Sequence, residues 1–198
     1  RTMAFEANCE GTPRSGVSAD EKALVAEKVA SVWASASHYH FSRDFRFNSQ
    51  STSMQYTSRR TIGGRAWLSI SLASDLEEKA LVLWANTSFG LLMHWWHANK
   101  QQSGRGSIGK SALQSLPILD VRALTPRQLK AATTLFDDFS TKDLLPLNEI
   151  DQDNTRRELD TEFARDVLGL PAHVIAEDGP LELLRMKLAR EPSIRGSK

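Results

Sequence analysis

The chain has 198 residues, a formal net charge of +1, 40% hydrophobic residues and a single cysteine. That length is enough to bury a substantial core and argues against wholesale disorder, while the near-neutral balance excludes recognition of a polyanion by bulk charge alone. Cys9 without a partner excludes an internal disulfide and fits a reducing cytoplasm.

No apolar run reaches the roughly 18 residues of a membrane span, because Asn86, His94 and His97 interrupt the longest one. RTMAFEANCEG has no apolar segment of signal-peptide type, so a cytoplasmic location is expected. An opening Arg1 with the first methionine at position 3 reads as a piece of a longer protein. Charge is uneven: nine cations face four anions between His38 and Leu116, whereas 12 cations face 15 anions from Pro117 onward. The middle of the chain is therefore the candidate polyanion face.

Residues 1–17 carry glycine, proline and serine without periodicity and read as a boundary segment. Ser18, with Glu21 three residues on, predicts a capped helix whose stripe is Leu24, Val25, Val29, Val32 and Trp33. HYHFSRDFRF then alternates as a half-buried strand, NSQSTSMQYTSRRTIGG reads as a polar strand ending at Gly63-Gly64, and RAWLSISL as a third strand, together a small antiparallel sheet.

From Leu76 to His97 the apolar residues occupy nearly every face, predicting one central helix with Trp84, Trp95 and Trp96 buried. QQSGRGSIGKSAL follows as a basic glycine loop, and SLPILDV as an edge strand or extended arm. Thr125 and Pro126 open an amphipathic helix, and two further helices complete the chain, the one from Asp151 to Gly169 acidic. The expected class is α+β: a small antiparallel or mixed sheet on a tryptophan-rich core helix over 18–124, then a helical segment over 125–198.

The order of GGRAW, LWANTSFGLLMHWW, NKQQSGRG, ALQSLPILDVRAL and LLPLNEID resembles the C-terminal target recognition domains of bacterial adenine-specific DNA methyltransferases, and is similar to the recognition domains of type I restriction-modification specificity subunits. The resemblance spans roughly Thr61 to Pro171. It implies a domain that reads double-stranded DNA for a methyltransferase domain of the same protein, with S-adenosylmethionine as the parent protein's cofactor and none here.

An extruded adenine is gripped by an Asn/Asp-Pro-Pro-aromatic loop, and this chain has no Pro-Pro pair, so no catalytic motif is read in it. The implied DNA contacts are Arg59, Arg60, Arg65, Lys100, Arg105 and Lys110, with Gln101, Gln102 and Ser107 as polar readers. Glycines beside Arg105 are expected to let the backbone approach phosphates.

Three other patterns are weaker. Gly104 to Ser111 has the form G-x-x-x-x-G-K-S, but polar Ala98 to Gln102 stand where a buried strand should precede it, so a nucleotide loop is not favoured. His94 with His97, and His38 with His40, are read as packing or hydrogen-bonding residues, not metal ligands. The acidic helices leave open a protein-interaction module with no DNA contact.

Overall fold

A computed structural model describes residues 18–196; the expected boundary segment, with Cys9, lies outside the described residues. The fold is α+β, two three-stranded antiparallel sheets with helices around them. Helix α1 (Ala19–Trp33) starts as its sequence predicts: the Ser18 hydroxyl accepts the Glu21 N–H at 3.2 Å, and the Glu21 carboxylate accepts the Ser18 N–H at 2.9 Å. Among the described residues its stripe is largely uncovered, leaving Leu24 67% and Val25 58% exposed.

In the first sheet, β1 (Ser37–Ser42) lies between β3 (Met54–Thr61) and β4 (Trp67–Ile70). Alternation puts Tyr39 and Phe41 opposite Tyr56 and Met54 on one face. The strand expected to run through HYHFSRDFRF breaks at Arg43. There the Arg43 N–H donates to the Ala66 carbonyl at 2.7 Å, and its carbonyl accepts the Ile108 N–H at 2.9 Å. This residue hands the chain from the first sheet to a second one, which was not anticipated. In it β6 (Arg105–Ser107) is central, flanked by β2 (Asp44–Arg46) and β5 (Asn99–Gln101). The basic glycine loop is thus a β-hairpin. Strands of three residues are too short to announce a period of two.

The expected single central helix is two, α2 (Asp75–Asn86) and α3 (Ser88–His97), separated at Thr87. The Thr87 hydroxyl donates to the Trp84 carbonyl at 2.6 Å and accepts the Gly90 N–H at 3.3 Å. A Cβ on Gly90 would stand 2.3 Å from the Trp84 carbonyl oxygen, so the sharp corner requires glycine. At the last residue of α2, the Asn86 side-chain amide acts as a strand partner. It accepts the Ser53 and Met54 N–H groups at 2.9 and 3.2 Å and donates to the Met54 carbonyl at 2.8 Å. Trp84 and Trp95 are half-buried, but Trp96 is 65% exposed, contrary to the expected burial of all three: it falls at the end of α3, where the helix clears the core.

Beyond the hairpin come α4 (Lys110–Gln114), an extended arm through Pro117, and α5 (Pro126–Phe139). Thr125 caps α5, Gln128 completes a capping box, and Ala132, Leu135, Phe136 and Phe139 form its buried face against α2. Helix α6 (Asn154–Glu162) runs into a π turn at Phe163–Val167, followed by α7 (Pro180–Arg190) and α8 (Pro192–Arg195). One apolar core runs from Tyr39 to Ile194.

Buried charges fasten the acidic helices to the rest. Arg156, with no exposed surface, donates to Asp153 at 3.2 Å, to the Ser51 and Leu145 carbonyls at 2.8 Å each, and to the Asn86 carbonyl. The Asp160 carboxylate accepts the Ser88 N–H at 2.8 Å, the Ser88 hydroxyl at 2.5 Å and Arg185 at 3.3 Å, capping the positive end of α3. Burial still pushes the Asp160 carboxyl up to about 6, against the opposite pull of Ser88 and the two arginines.

Candidate nucleic-acid interface

The second sheet owes its shape to Phe45, wholly buried in the middle of β2, which forces Asp44 and Arg46 outward. Register extends this across the sheet. Arg46 stands opposite Arg105, which stands opposite Gln101; Asp44 stands opposite Ser107, which stands opposite Asn99. The outer face is therefore two rows of three polar side chains, with neighbours about 5 Å apart at Cβ.

Among the described residues neither Arg46 nor Arg105 has an ion pair. Like charges directly opposite each other cost stability, so an uncompensated pair is a feature the fold does not need. Asp44, Arg46, Gln101 and Arg105 border a hollow of about 300 Å³. Gln101 donates to the Ser107 hydroxyl at 3.3 Å, which orders the face.

Gln102, Ser103 and Gly104 make the hairpin tip, with Ser103 and Gly104 at φ of 62° and 69°. The tip is held down. The Phe47 N–H donates to the Gly104 carbonyl at 2.8 Å, and the Asn48 amide donates to the Ser103 and Arg195 carbonyls at 3.3 and 3.2 Å. A Cβ on Gly104 would meet the Ile194 carbonyl at 2.6 Å, and one on Gly106 would meet the Phe47 ring at 2.6 Å. The glycines expected to approach phosphates instead seat the hairpin on the core.

Other expected contacts are dispersed. Lys100 points to the opposite face of β5, its ammonium 4.6 Å from the Trp95 ring centre and donating to the Trp96 carbonyl at 3.0 Å. Burial lowers its pKa. Arg59 and Arg60 sit at the far end of β3, near Ser37, roughly 15 Å along the strand from the junction between the sheets. Both Nε and a terminal nitrogen of Arg60 donate to the Ala36 carbonyl, at 3.1 and 2.6 Å. Gln102 is exposed at the tip. Arg65 precedes Ala66 and Lys110 follows Ile108 by two residues, so both border the junction at Arg43.

Gln101, Arg105 and Ser107 thus share one face, Arg65 and Lys110 lie in sequence beside the residues bonded to Arg43 at the junction, and Arg59, Arg60 and Lys100 lie elsewhere. Arg46 was missed. Its signal was the Phe45 and Phe47 alternation, which fixes where Arg46 must point. No protein family, curated protein or solved structure matches the chain.

A helix does begin at Lys110, but it has five residues, and the strand before the G-x-x-x-x-G-K-S stretch is short and exposed. Arg105–Ser107 inside the stretch forms the central strand, so its backbone groups face neighbouring strands and not a phosphate. His38, His40, His94 and His97 are engaged in hydrogen bonds. His94 Nε2 meets the Ser42 carbonyl at 2.8 Å beside Phe41 and Phe45, and burial lowers its pKa to about 4, so the neutral ring donates. His97 meets the Met93 carbonyl at 2.9 Å, His38 the Thr57 carbonyl at 2.8 Å, and His40 the Thr61 hydroxyl at 2.7 Å. Among the described residues no group of three or more His, Cys, Asp or Glu is placed to hold a metal, and no helix is long and apolar enough to cross a membrane.

Proposed function

We propose that this chain reads double-stranded DNA as the target recognition domain of an adenine-specific DNA methyltransferase or related restriction-modification protein. The observation that carries the reading is the unpaired Arg46–Arg105 couple on an all-polar sheet face. Arginines with no ion pair among the described residues, on strands near Arg65 and Lys110, suit a polyanion with hydrogen-bonding edges. The methyltransferase domain and its S-adenosylmethionine would belong to another part of the protein, and this chain would supply position and selectivity but no bond-making group.

Fluorescence anisotropy of labelled duplex DNA tests this. Affinity should fall at least 100-fold between about 50 and 200 mM salt, and Arg46→Ala with Arg105→Ala should weaken binding at least tenfold. Absence of binding at 50 mM salt overturns the reading. The second reading, a protein-interaction module, is favoured by one observation, the exposure of Leu24 and Val25 on α1 among the described residues. The acidic helices do not favour it, since their apolar sides are spent on the chain's own core.

A further inference from the structure

Resting on the proposed DNA reading, the geometry points to a more specific assignment: we propose that the outer face of the second sheet enters the major groove and reads bases there, with Arg46 and Arg105 each selecting a guanine and Gln101 an adenine. The face carries Asp44, Arg46, Asn99, Gln101, Arg105 and Ser107. Every one of these side chains can bond a base edge. A guanidinium fork matches the O6 and N7 acceptors of guanine, an amide matches the N6 and N7 edge of adenine, and a carboxylate accepts from the N4 amine of cytosine.

Two features separate base reading from simple phosphate binding. The first is Asp44, a carboxylate on the same face, which repels phosphate but suits a cytosine amine. The second is the orientation of Lys100: the one lysine of the sheet, a point charge adequate for phosphate, is turned away onto Trp95, and both cations of the outer face are arginines.

Size and rigidity agree. Three strands span about 10 Å from axis to axis at 4.8 Å spacing, so it is the side chains of this face, and not the strands themselves, that reach into a major groove about 12 Å wide. The readers stand on strands whose hairpin tip is anchored at Asn48 and α8. Arg65 and Lys110, at the border, are left to contact the backbone.

Selection of bound duplexes from a randomised pool, using the 198-residue chain, tests the assignment. The wild type should recover a fixed motif containing two guanines. Arg105→Ala and Arg46→Ala should each erase the preference at one of these positions and cost about 10- to 100-fold on the selected duplex, but far less on scrambled DNA. Arg105→Lys keeps the charge without the fork and should lose the guanine preference while preserving the salt dependence. Lys110→Ala should weaken all sequences alike and lower the salt slope by about one.

If Arg46→Ala and Arg105→Ala weaken all sequences equally, or the wild-type motif lacks guanine, the base-reading assignment is overturned and DNA binding itself stands. If the wild type retains no duplex at all, both fail.

Discussion

His94 and Asp160 are buried ionisable side chains whose responses to acid oppose each other. The His94 pKa in the folded chain, about 4, lies below its ordinary 6.5, so the unfolded chain takes up that proton first and stability is lost as pH falls from 6.5 to 4. Asp160, raised from 3.8 to about 6, takes up its proton first in the folded chain, so its contribution grows as pH falls from 6 toward 4. His94→Gln keeps an N–H for the Ser42 carbonyl and deletes only one of these titrations. Measured by urea unfolding, the variant should gain about 2 kcal/mol relative to the wild type between pH 7 and 4.5. Parallel pH profiles would show that His94 is not held neutral. Sequence disclosed that His94 and His97 pack or hydrogen-bond, but not which carbonyl each meets, because Ser42 is 52 residues from His94 and only the fold joins them.

Elements were most legible where a local rule sufficed. Ser18 with Glu21, and Thr125 with Pro126, mark helix starts through bonds reaching three residues, and both appear as read. Elements failed to show where a tertiary partner decides. The Asn86 side chain, at the end of α2, pairs with Ser53 and with Met54 at the start of β3, and Gly106 of the hairpin lies against the buried Phe47 ring. Helix α1 is the reverse case, since its stripe is plain in the sequence and its partner is not among the described residues. Replacing Leu24 and Val25 together by Gln should therefore change the unfolding free energy by less than about 0.5 kcal/mol, whereas Leu135→Ala in α5 should cost about 2 to 4 kcal/mol. A loss above 2 kcal/mol for the α1 pair would mean that the helix packs after all.

At the scale of the molecule, Arg156 joins the acidic helices to Asn86 and Ser51, and its removal would leave the buried Asp153 carboxylate without its counter-charge and take the guanidinium donor from three carbonyls. Arg156→Leu should lower stability by about 3 to 5 kcal/mol in urea unfolding, and retention of wild-type stability would contradict the network. RRELD lies in the stretch read only as an acidic helix, so this fastening was invisible before the fold. The charge surplus between His38 and Leu116 was visible, but not its division between Arg46–Arg105 on one face and Arg59–Arg60 at the far end of β3. Ile194 and Arg195 close over the tip of the hairpin that carries Arg105. During synthesis, then, a nascent chain halted before these residues clear the ribosome exit lacks the contacts that hold the tip of this hairpin.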